Sequence, residues 1–352
     1  YAEMDWIVPG TAEPDSSLVT GVAGIVHQWT PDLSMTLQLS HSRWDAEVSE
    51  ETNELLQPEL YFNWRAGERH TVTGGVDYKH HEFSRSAAIG IPDQDTYGAF
   101  LQDVWKMTDR FTLMTALRYD DVEGVDPVWS PKVSALYDPD MPVRFRASVA
   151  RGFHAPTPQE LHEKAYGHMR SDYLRFGNPD LEPEYSTTYG LGMEFFSGRR
   201  FELMVYGHYS DIDDMIVPVH EGPWDQDEDK EVWRRQNVEE AEVYGGEVRA
   251  RYAIAEGLRI EGGYTYAENE LDSDNERDFV YDPGSSAFVK LVGEKELNRD
   301  WQAGGFIGLR AVFDRSSWSW KPEDGAPTGD PSGSRTDLEN YEKLDAGISL
   351  TY

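Results

Sequence analysis

The sequence predicts an all-β fold: an antiparallel, up-and-down transmembrane β-barrel of about 15 strands. Three observations predict it. Segment after segment alternates apolar and polar residues with period two, the signature of a strand with two unlike faces. The apolar faces of the clearest segments carry no charge. The connections alternate between short turns and long polar loops along the chain.

Taken in chain order, the first segment runs near Leu18 to Gln28. The next clear one sets Leu60, Phe62 and Trp64 against Glu59, Asn63 and Arg65. The segment near Asp95 to Met107 alternates less cleanly. Phe111, Leu113, Leu117 and Tyr119 then oppose Thr112 and Arg118. Past the middle of the chain, Phe201, Leu203, Val205 and Tyr209 oppose Glu202 and His208. Tyr244, Val248, Ala250 and Tyr252 oppose Glu247, Arg249 and Arg251. Leu258, Ile260, Tyr264 and Tyr266 oppose Arg259, Glu261 and Thr265. Trp301, Ala303, Gly305, Ile307, Leu309, Ala311 and Phe313 share a face opposite Gln302 and Arg310. The last segment sets Leu344, Ala346, Ile348, Leu350 and Tyr352 against Lys343, Asp345, Ser349 and Thr351.

Short joints with turn composition are expected at Thr30–Ser34, Ala66–Arg69, Thr108–Arg110, Asp138–Pro142, Ser197–Arg200, Ala255–Gly257 and Asn298–Asp300. Between them fall longer, acidic connections at Ala46–Leu56, Arg85–Asp95, Asp121–Val125, His154–Glu184, Asp211–Val232, Ala267–Gly284 and Asp314–Glu339. In up-and-down order this places every short turn on one rim and every long loop on the other.

A soluble sandwich would hide the apolar faces inside, whereas a membrane barrel turns them to lipid and lines its interior with polar groups. Segregated joints, strands long enough for the ~9–11 tilted residues of a span and charge-free apolar faces favour the barrel. A large soluble β protein stays open as the alternative.

Composition narrows the function classes. The chain has 352 residues, no cysteine and a net charge of −33. Absence of cysteine excludes disulfides and thiolate metal sites. The negative charge repels phosphate backbones, so no nucleic-acid partner is expected. No apolar run of helical membrane length is present and no signal peptide opens the chain. No Ser-His-Asp spacing, phosphate-cradling glycine loop or HExxH motif suggests an enzyme.

"RGFHAPTPQELHEKAYGHMRSDYLRFGNPDLEPE" (Arg151–Glu184) reads as neither helix nor strand. Pro156, Pro158, Pro179 and Pro183 forbid ladder pairing, and Gly177-Asn178-Pro179 suits a tight turn marking re-entry to the sheet. The stretch joins the strands "VRFRASVARGF" and "YSTTYGLGMEF". This combination resembles the C-terminal barrel of TonB-dependent outer-membrane receptors, in which an RGFRAP stretch precedes GNPDLKPE. Here the first reads RGFHAP, with His154 where arginine is usual, and the second reads GNPDLEPE. "YGAFLQDVWKMTDRFTLMTALRYDD" (Tyr97–Asp121) and "WSPKVSALY" (Trp129–Tyr137) resemble two more segments of that family.

The resemblance implies a 22-stranded family barrel of which this chain, a single partial barrel domain over 1–352, holds about the last 15 strands. The plug domain and the first strands are then expected outside it, with Tyr1–Val8 the tail of a preceding strand. Such a partial barrel has two open edges and is expected to aggregate alone. A self-contained, passive porin-like barrel of about 16 strands is the alternative. The resemblance further implies the bacterial outer membrane as location and TonB-dependent uptake of a scarce bulky nutrient, such as siderophore-iron, cobalamin, haem or a metal chelate. It implies partners: the chain's own plug, TonB, a small-molecule chelate, and membrane lipid with lipopolysaccharide.

Candidate ligand-binding residues in the longest loop are His154, His162, His168 and Met169, as iron, zinc or copper ligands, with Tyr173 and Arg175 to hold an anionic chelate. Ordinary loop polarity would equally explain them. His80 and His81 are neighbours on a strand, face opposite ways and form a poor chelating pair. No cofactor is required, but two acidic stretches offer hard oxygen ligands for calcium: Asp225, Asp227 and Asp229 in one, Asp272, Asp274 and Asp278 in the other. Neither has EF-hand spacing, and solvated acidic loops are the plain alternative.

Overall fold

A computed structural model describes residues 2–3, 16–46, 50–85, 91–163, 173–224, 227–272, 281–282, 284–313, 316–319, 334–337 and 339–351. Fifteen long strands dominate it. They are β1 (Ser16–Thr30), β2 (Leu33–Ala46), β3 (Glu51–Ala66), β4 (His70–Arg85), β5 (Gln94–Lys106), β6 (Phe111–Val122), β7 (Val128–Tyr137), β8 (Val143–His154), β9 (Glu184–Ser197), β10 (Phe201–Trp224), β11 (Asp227–Ala255), β12 (Leu258–Asp272), β13 (Ser285–Glu296), β14 (Gln302–Phe313) and β15 (Tyr341–Thr351). One helix, α1 (Pro158–His162), stands between β8 and β9.

Each long strand pairs antiparallel with the next, from β1–β2 through to β14–β15. Ala2–Glu3 adds a short antiparallel pairing to β1, opposite Leu18 and Ser17. All seven short turns fall where composition placed them. Gly67, Gly198 and Gly257 turn three of them with positive φ of 75°, 60° and 72°, a region open to glycine at no steric cost.

Several long joints differ from expectation: β12 runs on to Asp272, and short strands at Tyr281–Asp282, Ser316–Ser319 and Ser334–Asp337 pair into a small separate sheet. Strand pairing also takes in 51–56 and the described residues of 211–232, because the polar residues there still satisfy their backbone groups by cross-strand ladders. β10 and β11, 24 and 29 residues long, pair from Phe201↔Tyr252 to Trp224↔Asp227. A span needs only ~9–11 residues, so more than half of each strand projects beyond the band on the long-loop side.

The two sheet faces are unlike. One exposes Ile25, Leu37, Leu60, Val76, Leu101, Leu117, Val133, Leu191, Val289 and Ile307. Aromatic residues bound this apolar band on both sides. Tyr97, Trp129 and Tyr189 lie toward the long loops, and Trp64, Trp105 and Tyr137 toward the short turns. Tyr78 packs on Tyr97 at 5.2 Å and Tyr119 on Trp129 at 4.9 Å. Such girdles mark the membrane interfaces of outer-membrane barrels.

The other face is polar. There Arg118 donates to Asp77 (Nη1–Oδ2 2.7 Å) and to Asp120 (Nη2–Oδ1 2.6 Å). Both carboxylates are buried, at 2% and 4% side-chain exposure. Gly98 makes room for them: a Cβ there would lie 2.6 Å from Asp77 Oδ2.

Buried apolar residues collect away from the band. Ala46, Phe83, Val122, Val128, Leu161, Leu174, Leu181, Ile216, Val232 and Ala241 are all buried on the long-loop side. Leu161, Leu181 and Ile216 pack together as a small core. The sheet turns its apolar side outward, so the water-excluding core of this chain sits at the loop rim.

Candidate functional site

The Arg151–Glu184 stretch folds back on itself and clamps the β10–β11 hairpin. It begins where β8 ends at His154, with the Arg151 guanidinium 4.4 Å from the Tyr185 ring centroid. Contrary to the sequence reading, the loop contains helix. Thr157 caps α1: Glu160 N–H donates to Thr157 Oγ1 at 3.3 Å, while Thr157 N–H donates to Glu160 Oε2 at 3.0 Å. That reciprocal pair satisfies two donors otherwise orphaned at a helix start, and Pro158 follows as the first helical residue. Thr-x-x-Glu with proline after the threonine was readable in the sequence.

The glycine of GNPDLEPE has a contact role as well as a turn role. Gly177 N–H donates to Glu163 O at 2.7 Å and Asn178 N–H to Glu160 O at 2.8 Å, closing the C-terminal end of α1. A Cβ on Gly177 would lie 2.7 Å from the backbone nitrogens of His162 and Glu163. Asn178 Oδ1 accepts from Asp180 N–H at 3.0 Å, forming the expected turn.

The hairpin is then gripped at three points. Residues Tyr173–Phe176 form a short strand parallel to Glu231–Arg234. Asn237 Oδ1 accepts from Glu182 N–H at 2.9 Å, and its Nδ2 donates to Glu182 O at 2.9 Å and Asp214 O at 2.6 Å. Ile216 N–H donates to Glu184 Oε1 at 2.6 Å. Asp214 has φ 58° and drops out of the β10–β11 register between Asp213 and Met215. Its carbonyl is thereby turned to Asn237.

Glu160 joins these parts. Its Oε2 lies 3.6 Å from His154 Nε2 and its Oε1 3.9 Å from Arg235 Nη1. Burial opposes its ionisation. The His154 contact, the Thr157 N–H and Oγ1–H donors and the Arg235 charge outweigh that, holding Glu160 down at about 2. The same contact, opposed by burial and aided by Glu184, raises His154 above the usual histidine value.

Beside α1 lies a cavity of about 300 Å³ lined by Pro92, Asp93, Gln94, Glu123, Gly124, Pro158, Leu161, His162 and Pro179. Gln94 Nε2 donates to Pro156 O at 3.1 Å, tying the β4–β5 loop to the RGFHAP segment.

Of the sequence-nominated residues, His154 therefore serves the Glu160 cluster and His162 lines the cavity. Tyr173 and Arg175 lie on the parallel strand, in register with Glu231 and Trp233. His168 and Met169 fall outside the described residues. The acidic stretch with Asp227 and Asp229 is strand, a correction to its reading as a loop, and Asp225 is outside the described residues. Asp272 ends β12 opposite Glu240, and Asp274 and Asp278 are outside the described residues. Glu160, Glu184, Arg235 and Asn237 carry the clamp and were not singled out from sequence. Except for Glu160 in its capping box, no local pattern marks them.

A lipid-facing antiparallel sheet with short turns on one rim and a folded, clamped loop assembly on the other defines an outer-membrane β-barrel of the receptor class. The chain belongs to the TonB dependent receptor-like, β-barrel family, whose match covers residues 10–352. Family members are receptors rather than enzymes, and the protein resides in the outer membrane. It is 26% identical over 297 residues to an iron-regulated outer membrane virulence protein of Vibrio cholerae, covering 80% of this chain and 43% of that protein. It is 25% identical over 298 residues to the ferric enterobactin receptor of Pseudomonas aeruginosa, covering 79% and 37%. The crystal structure of a ferric enterobactin receptor mutant from Pseudomonas aeruginosa shares the fold at TM-score 0.73 and 17% identity, covering 97% of this chain and 55% of that one. The chain thus spans about half the length of the relatives it matches, or less.

Proposed function

We propose that this chain supplies barrel wall and outer vestibule to a receptor that takes up an iron chelate, or a comparably bulky nutrient such as cobalamin or haem, in a TonB-dependent manner. The reading draws on relatives named for iron regulation and ferric enterobactin. The observation that carries it is the clamp: a long hairpin held at the loop rim by specific hydrogen bonds and a small buried core rather than left as a loose loop. A stiff outer wall gives a large ligand a preformed surface and lowers the ordering cost of capture. The chain's own plug and TonB would complete the cycle, and membrane lipid with lipopolysaccharide would cover the apolar band.

The test is uptake of radiolabelled iron chelates by a host deleted for its own receptors and expressing the full-length gene. Saturable uptake of one chelate, abolished by a protonophore and by loss of TonB, is the expected result. Non-saturable entry that survives both treatments would instead mark a passive pore and overturn the reading.

A further inference from the structure

A second constellation lies outside the clamp and outside the lumen. His80 is on β4, two residues beyond Tyr78, so by the period of the strand it shares the outward face with Val76 and Tyr78. Its register partner is Asp95 on β5, next to the Tyr78↔Tyr97 pair of the girdle. Glu82 follows on the same face of β4, and Asp93 leads into β5. One nitrogen of His80 and one carboxylate oxygen each from Glu82 and Asp93 all lie within 4.8 Å of one another.

The geometry points to a divalent transition-metal site of the zinc class at this place: His80 Nε2, Glu82 and Asp93 as ligands, Asp95 as the group that orients the histidine. His80 Nδ1 lies 2.7 Å from Asp95 Oδ1. A carboxylate only accepts, so without a metal both nitrogens carry hydrogen, Nδ1 donating to Asp95 and Nε2 to Glu82 Oε1 at 3.1 Å. A metal at Nε2 takes the place of that proton, which is released, while Nδ1–H stays on Asp95. Tyr78 Oη donates to the same Asp95 oxygen at 2.8 Å and fixes the orienting carboxylate. Metal-bound histidines usually donate their other N–H to a carboxylate in this way.

Size and chemistry agree. Bonds of ~2.0–2.1 Å in a tetrahedron place ligand atoms roughly 3.4 Å apart. His80 and Glu82 are already at 3.1 Å. Asp93 and Glu82 are exposed, so small rotations close the rest. One imidazole with two carboxylates suits zinc better than calcium or magnesium, which take oxygen ligands throughout. A net charge of −33 enriches cations at the surface. The site sits just beyond the girdle on the outward face of β4 and shares Asp93 with the cavity beside α1; the zinc assignment does not rest on the uptake reading.

The experiment is a calorimetric zinc titration of chelator-stripped, full-length gene product in detergent, with cobalt(II) absorption as a spectroscopic check. Expected are one zinc per chain and a tetrahedral cobalt spectrum. His80→Ala should abolish both, and Asp95→Asn should weaken zinc by about 10–100-fold. His81→Ala should change nothing, because His81 turns to Asn53 at 3.1 Å on the opposite face. Should His80→Ala misfold, as judged by loss of heat-shifted gel mobility, the Glu82→Gln/Asp93→Asn double variant, altered only at exposed side chains, replaces it. Zinc affinity unchanged in His80→Ala or in that double variant, or no zinc binding to the natural protein, overturns the assignment.

Discussion

The bilayer band and the loop rim are built from the same strands, yet opposite physics holds them. In the band, each strand with a neighbour on both sides satisfies its backbone groups through the ladders, and its apolar side chains face lipid, while the inner face adds the buried Asp77–Arg118–Asp120 cluster. At the rim, water surrounds the chain, and stability comes from a small buried core and from side chains that bind specific backbone groups. The difference teaches that a substitution should act by depth on the lipid-facing side of the band and by contact at the rim. Breaking that contrast takes variants of both regions, measured by the same two readouts: unfolding in lipid and hydrogen exchange of the rim.

The largest effect is expected at Arg118→Leu. It removes the cation between the buried carboxylates of Asp77 and Asp120. Leaving buried charges unpaired costs about 3–5 kcal/mol. Urea unfolding in liposomes should show the loss, with rim exchange rates unchanged until the wall itself opens. Next comes Leu101→Arg, which puts a charge on the exposed apolar face. Near the midplane this costs roughly 2–4 kcal/mol, and the same substitution placed at an interfacial position such as Tyr97 should cost far less. Equal costs at both depths would mean that this face does not meet lipid.

At the rim, Gly177→Val should act locally. Its Cβ has no room against the nitrogens of His162 and Glu163, and overpacking of this kind costs ~1–3 kcal/mol. Hydrogen exchange should accelerate in α1 and in the 173–176 strand, while unfolding of the wall in urea stays put.

How much of this was legible in the sequence follows the same division. Period-two alternation and turn chemistry are local signals, so Leu258-to-Tyr266 or Trp301-to-Phe313 could be placed on faces without a structure. The joints at 211–232 were misread because polar residues such as Asp213 and Glu240 can pair as strands above the membrane, where no apolar face is needed. The clamp was mostly illegible. Asn237 and Glu182 lie far apart in the chain, and nothing near either one announces the pairing. Thr157-to-Glu160 is the exception, because a capping box is complete within four residues.

The pH response sharpens the rim side of the comparison. Glu160 sits at about 2 in the folded chain against 4.5 ordinarily. A depressed carboxylate stabilises the folded rim fully above 4.5, and that contribution fades as pH falls through about 2. His154 has the opposite sign. Its folded value is raised above 6.5, so its contribution is complete below 6.5 and is lost as pH rises through the raised value. Rim protection, taken relative to the intrinsic exchange rate at each pH, should therefore be greatest in the mildly acidic window between the two, and Glu160→Gln should flatten both limbs together. A wall-only readout should show neither limb.

The smallest effect tests the cap alone. Thr157→Ala removes the acceptor for Glu160 N–H but leaves the Thr157 backbone N–H free to donate to Glu160 Oε2. Loss of an N-cap side chain costs about 0.5–2 kcal/mol, and α1 is a single short turn whose far end is closed by Gly177 and Asn178. The expected result is faster exchange at Glu160 and Leu161 and little change at Asn237, because the Asn237–Glu182 bonds grip the hairpin independently. If exchange instead rose across α1, 173–176 and the hairpin together, the rim would be one cooperative unit. The depth-against-contact contrast would then hold only between wall and rim, not within the rim.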